Sequence, residues 1–180
     1  MSKSQSAVFT RYSCRDFKPE PLSEAEVKEI IAAAQAGPTA RNLQNLKFNW
    51  LSDQKLIQEI SDYAYEILGE DTRQLMEERG AKNLFYGAPH VLVISAPANE
   101  YAGLDSGIAA EAACIRAEEM GLASCMIAMS KVAFRRDLDK HFCDRLNFAA
   151  DEIYTLSIAF GLANSKKEPH SFSDEQIRYF

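Results

Sequence analysis

The run His90–Ser95, HVLVIS, constrains the fold more than any other stretch of the chain. It is short, apolar and largely β-branched, and it is bounded by Ala88-Pro89 and Pro97. A run of that length between breakers predicts a buried strand. Helical and strand patterns alternate around it. Residues 24–36 predict a helix: Ser23 and Glu26 have the spacing of a capping box, and Val27, Ile30, Ile31 and Ala34 form one apolar stripe that Gly37-Pro38 stops. Leu46, Phe48 and Trp50 alternate with Lys47 and Asn49, which predicts a strand. Residues 54–67 and 71–84 predict two helices with Gly69 between them.

Ser106–Met120 predicts a central helix ending at Gly121, in which Ala109, Ala110 and Ala113 allow a neighbour to approach closely. A short strand at Ser124–Ala128, a helix at Lys131–His141 and a long strand at Ile153–Phe160 follow. From Asn164 the tail is polar and rich in turn formers, yet it carries Ile177, Tyr179 and Phe180. Such bulky groups predict an arm that lies on another surface. The order of elements predicts an α+β or α/β three-layer arrangement. With 180 residues, 47% of them apolar, and neither repeat nor linker, residues 1–180 read as one domain.

Composition removes several function classes. Lys and Arg total 20 against 26 for Asp and Glu, a net charge of −6, so no nucleic-acid partner is expected. The opening MSKSQSAVF has no apolar signal core, and no run reaches the roughly 18 apolar residues of a membrane span. Cys14, Cys114, Cys125 and Cys143 include no C-x-x-C pair. They read as reduced thiols of a cytoplasmic protein, with Cys114 and Cys125 in packing roles. The glycines form no dinucleotide fingerprint or P-loop, and no serine sits in G-x-S-x-G. His90, His141 and His170 have no metal-ligand spacing, so no metal is expected. The chain is poor in its own acids, bases and nucleophiles, as suits an enzyme whose cofactor supplies the chemistry.

Two clusters of polar groups remain. In Arg11-Tyr12-Ser13-Cys14-Arg15, two guanidiniums and a hydroxyl fall at alternate residues, which an extended segment points to one side. Pro38-Thr39-Ala40-Arg41-Asn42, followed by Gln44, places hydroxyl and amide groups on a turn. Together they suit a ligand with a phosphate at one end and a polar ring at the other.

Five segments, in order, resemble the nitroreductase family of FMN-dependent oxidoreductases. RYSCRDF (11–17) is similar to its R-x-S-x-R-x-F opening, and AGPTARNLQ (36–44) to its A-P-S-x-x-N-x-Q turn. YGAPHVLVIS (86–95) is similar to its A-P plus buried strand, and DSGIAAEAACIRAEEMGLASCMIA (105–128) to its long helix and G-L-x-S strand. FGLANSKK (160–167) is similar to its closing strand and basic tail. Departures occur at Asn45-Leu46, at Ala128-Met129 and at Gly161-Leu162-Ala163.

The resemblance implies an α+β fold: a central, mostly antiparallel sheet flanked by helices, with a C-terminal arm exchanged between the subunits of a homodimer. It implies FMN as cofactor and NADH or NADPH as donor. Hydride would pass by ping-pong through flavin N5 to a small-molecule acceptor, a nitroaromatic or a quinone. Arg11 is expected on the phosphate, Tyr12 and Ser13 beside it, and Arg15 at the pyrimidine edge, where a cation stabilises charge developing at N1–C2=O. Pro38, Thr39, Ala40, Asn42 and Gln44 would reach a flavin across the subunit boundary. Asn83 is a candidate for the pyrimidine ring. Met126, Ile127 and Ala128 would face the N5 region, and Lys166 or Lys167 would close on the phosphate. A flavin-dependent dehalogenase on the same scaffold, or a flavin-binding protein without turnover, are the alternative readings.

Overall fold

In the computed structural model, residues 6–168, 171 and 173–180 are described. The helices are α1 (Ala7–Thr10), α2 (Glu24–Ala36), α3 (Gln54–Leu68), α4 (Glu70–Glu78), α5 (Ala102–Glu119) and α6 (Phe142–Arg145). The strands are β1 (Lys47–Leu51), β2 (His90–Pro97), β3 (Ala123–Ile127) and β4 (Glu152–Gly161). They form one antiparallel sheet in the order β1-β2-β4-β3.

Alternation along β2 makes the sheet two-faced. Leu92 and Ile94 join α2 and α5 in one core, with Ile30, Ala34, Ala109, Ala110, Ala113, Ile158 and Phe160. Val91 and Val93 face the opposite core, with Ile57, Ile60 and Ala64 of α3 and with Phe134 and Phe142. HVLVIS is thus covered on both sides, and the chain has the expected three layers.

Local signals account for most element ends. Ser23 Oγ accepts from Glu26 N while a Glu26 carboxylate oxygen accepts from Ser23 N, so the capping box is complete. Asp53 caps α3 through Lys55 N and Leu56 N. The alanines of α5 close on α2 and on the sheet of their own chain. A Cβ added to Gly37 would lie 3.3 Å from Ile108 and 3.4 Å from the Ala109 backbone. Their smallness therefore requires no second chain.

Two expected helices are corrected. The helix expected over 71–84 ends at Glu78. Gly80, at φ +79°, donates to Glu77 O and Ala81 donates back to Met76 O, which is a Schellman stop. The helix expected over Lys131–His141 is only a 3-10 turn, Met129–Phe134. Beyond it Arg135 turns back on Asp137 at 2.6 Å, and Arg136 reaches the carbonyls of Ala149 and Glu152. These side chains hold the segment against the start of β4, so it does not wind further.

Candidate functional site

The segment after α1 lies along the outer edge of β3. Ser13 and Ser124 form a parallel bridge, with Cys14 N donating to Ser124 O at 2.9 Å. Lys18 N donates to Leu162 O and Asn164 N to Asp16 O, each at 2.9 Å. These bonds fasten the residues beyond β4 to the N-terminal segment. Buried Cys14 and Phe17 pin the segment from inside, leaving Arg15 exposed and Arg11 and Ser13 half-buried.

Arg11 Nε donates to Glu111 Oε1 of α5 at 2.5 Å. Its outer Nη1/Nη2 edge has no partner among the described residues. A guanidinium anchored through Nε is still free to bind an anion with that edge. Tyr12 donates its hydroxyl to Ser165 O at 3.0 Å, and burial pushes its phenol up.

Three buried thiols report where the cations lie. Burial pushes Cys125 up to about 11, opposed by Arg15, by the Ser13 hydroxyl and by Lys167. Burial raises Cys14, and Lys167 again pulls the other way. Burial pushes Cys114 up to about 12, opposed by the Ser124 hydroxyl and then by Arg11. Arg15 and Lys167 thus act on Cys125 and Arg11 on Cys114, buried thiols that stay protonated and serve as packing.

At the far end of β3, Met126 is half-buried, Ile127 buried and Ala128 exposed. Ile127 O accepts from Ser130 Oγ at 3.2 Å and from Tyr154 OH at 3.1 Å. Ser130 also bonds Tyr154 OH at 2.7 Å and Ser157 Oγ at 3.0 Å. This network fixes the carbonyl and so the direction of the peptide that follows it.

The 38–44 turn is bent by three left-handed residues, Arg41, Asn42 and Gln44, at φ +53°, +54° and +49°. Asp105, buried in the first turn of α5, accepts Ala40 N at 2.9 Å. Thr39 Oγ1 accepts Gln44 N at 3.0 Å. Pro38, Asn42 and Gln44 are exposed, Thr39 and Ala40 half-buried. A cleft of ≈ 240 Å³ runs from the turn to β1, lined by Ala34, Gln35, Gly37, Thr39, Gln44, Leu46 and Phe48.

The structure brings Arg11, Tyr12, Ser13 and Arg15 together beside β3, with Tyr12 bonded to Ser165 two residues before Lys167, and it holds the 38–44 turn at the first turn of α5, the helix that also anchors Arg11. The cationic patch borders β3 and the turn leads into β1, the two outer strands of the sheet. Asn83 is committed elsewhere: its Oδ1 accepts Phe85 N and Gly87 N, and its Nδ2 donates to Gln58 Oε1. Glu111 and Asp105, which hold the two clusters, were not anticipated. Each meets its partner across a long stretch of chain, 100 and 65 residues, so no local motif marks it. His170 lies outside the described residues. Among the described residues, no helix is long and apolar enough to cross a membrane.

The family model described as "Nitroreductase family" matches residues 8–162. No curated protein matches the sequence. Among solved structures, the chain is similar to a nitroreductase with bound FMN from Desulfitobacterium hafniense DCB-2. Identity is 29% and the TM-score 0.91, over 100% of this chain and 99% of that one. An FMN-dependent nitroreductase from Clostridium difficile R20291 shares the fold at 24% identity and TM-score 0.79, over 99% of each chain. The FMN and NADPH-dependent nitroreductase NfnB from Sphigopyxis sp. strain HMH shares it at 19% identity and TM-score 0.75, over 100% of this chain and 99% of that one.

Proposed function

This chain belongs to the nitroreductase family and is a flavin-dependent oxidoreductase, and on that premise we propose that two copies pair to build two FMN sites that use NADH or NADPH to reduce nitroaromatic or quinone acceptors. The observation that carries the reading is the segment of Arg11, Ser13 and Arg15 laid along the edge of β3, with Arg11 anchored through Nε alone. Cations and a hydroxyl with free hydrogen-bonding capacity are the donor set that a phosphate monoester with an electron-accepting ring calls for. When bound, FMN would supply a two-electron hydride carrier between reduced nicotinamide and the acceptor.

The chain's residues bind and tune that carrier. Arg11, anchored by Glu111, offers its outer edge to the phosphate, and Lys166 or Lys167 adds a second charge. Tyr12 and Ser13 flank the phosphate arm. Arg15 stands at the pyrimidine edge, where fixed positive charge favours the reduced state. Met126 and the Ile127–Ala128 backbone line the N5 side. Asn83 acts indirectly, by shaping the 83–87 turn. These groups include no acid, so water supplies the proton.

The second copy supplies Pro38, Thr39, Ala40, Asn42 and Gln44, as the family resemblance implies. Val8, Leu43 and Leu104 are exposed beside these elements and offer an apolar interface. Ile177, Tyr179 and Phe180 are exposed in the tail, and β1 has no strand on its outer side among the described residues. An exchanged arm that covers the partner at that edge answers both. Residues 1–180 then act as one FMN-binding domain, and the free buried thiols suit a reducing, cytoplasmic setting.

The test is the visible spectrum of the purified protein. A yellow dimer should bleach on anaerobic addition of NADH or NADPH and recolour with a quinone or a nitroaromatic. A colourless preparation that takes up no FMN on soaking would overturn the reading.

A further inference from the structure

Tyr86 sits in the left-handed region at φ +58°, followed by Gly87 at φ +70°. An aromatic residue is rare there, and such backbone persists only where its surroundings hold it. They do. Asn83 Oδ1 accepts Phe85 N at 2.9 Å and Gly87 N at 3.0 Å, and Tyr86 N donates to Asn83 O at 3.0 Å. Ser61 Oγ accepts Leu84 N at 2.9 Å. The turn sends Leu84 and Phe85 fully into the core and leaves Tyr86 half-buried at its rim. Burying those two neighbours does not require a tyrosine, since glycine would take the same backbone without strain.

What the tyrosine adds is its ring. The Arg15 guanidinium carbon lies 5.9 Å from the ring centroid, within cation–π range. Burial pushes the phenol of Tyr65 of α3 up to about 12, and Tyr86 adds to that rise. The ring of this half-buried tyrosine thus lies beside an otherwise exposed arginine. We propose that Tyr86 is a positioning residue: its ring holds the Arg15 guanidinium at the edge of the flavin, and the Asn83-clamped turn exists to present that ring. The inference rests on the FMN reading above.

A cation held against a ring face keeps its charge and loses its freedom to swing into solvent. Tyr86 therefore acts on flavin electronics only through Arg15. Tyr86→Leu should still bind FMN. Its flavin midpoint potential should drop by roughly 15–45 mV, and reduction by NADH should slow roughly three- to thirty-fold, the span of a cation–π contact at about 30 mV per tenfold change of a two-electron couple. Tyr86→Phe keeps the ring face and should keep the parent potential. In an Arg15→Ala background, Tyr86→Leu should cause no further drop.

If Tyr86→Leu does not fold, Tyr86→Gly removes the ring while relieving the backbone and gives the same readout. An unchanged potential in the ring-less variant, or an equal further drop in the Arg15→Ala background, overturns the inference. A parent protein that takes up no FMN overturns the FMN reading, and this one with it. A parent that takes up FMN while Tyr86→Leu keeps its potential overturns this one alone.

Discussion

His90 Nε2 accepts the backbone N–H of Leu22 at 2.9 Å, joining the start of β2 to the residue before the α2 cap. That bond requires an unprotonated Nε2, and at Nδ1 the ring meets Ser52 Oγ at 2.9 Å and the Trp50 indole N–H at 3.2 Å. Burial lowers the pKa of this histidine below its ordinary value. The fold therefore favours the neutral ring. Its contribution to stability is complete above the unfolded-state pKa of about 6.5 and is lost as pH falls below that, toward the depressed folded value. Urea midpoints measured between pH 8 and pH 5 should fall most steeply below about pH 6.5. His90→Phe should flatten that slope and, by leaving Leu22 N unbonded, cost about 1–3 kcal/mol at pH 8. An unchanged slope in the variant would remove His90 as the cause.

Arg11 is held by one nitrogen and leaves its outer edge to the cofactor. Charge-assisted bonds contribute about 1.5–3 kcal/mol each, so Arg11→Ala should weaken FMN binding by roughly one to two orders of magnitude. Fluorescence titration of the apoprotein measures this. Binding as tight as the parent's would place the phosphate elsewhere.

Gly161 closes β4 where three segments meet. A Cβ there would lie 2.7 Å from Pro89 Cδ and 3.2 Å from Phe17 Cδ1. Gly161→Ala must push either the proline or the segment that carries Arg15. A loss of about 1–3 kcal/mol in thermal unfolding is expected, as for other overpacked cores, with weaker FMN retention. A neutral substitution would show that Pro89 yields freely.

Tyr154 OH serves Ile127 O and Ser130 at once. Tyr154→Phe keeps the ring packed against Phe134 and removes only the hydroxyl. Stability should drop by about 1–2 kcal/mol. Flavin reduction should slow as well, because the Ile127–Ala128 peptide loses its brace. A stability loss with unchanged reduction would confine Tyr154 to packing.

The parts of this protein that could be read from the chain are those written locally. The Ser23–Glu26 box, the bounded HVLVIS run and the alternation around Phe48 each depend on neighbours within a few residues. The segments that misled depend on distant partners. Lys131–His141 has helical composition, but Arg136 is drawn to carbonyls beside β4. Ala109, Ala110 and Ala113 announced a close neighbour without saying that α2 would be it. The Arg11–Arg15 cluster was visible as a pattern of charges. Its anchor Glu111, the turn's anchor Asp105 and the strained Tyr86 became visible only when the fold brought distant segments together.

The separate anchoring of the two polar clusters, one by Glu111 and the other by Asp105, has a genetic consequence. If each pocket draws half its groups from either subunit, damage to one half is not confined to the chain that bears it. Co-expression of an Arg11→Ala, Arg15→Ala chain with a Thr39→Ala, Asn42→Ala chain would then yield mixed pairs with one pocket whole and the other doubly broken. Two inactive alleles would complement each other, with occupancy approaching one flavin per hybrid pair.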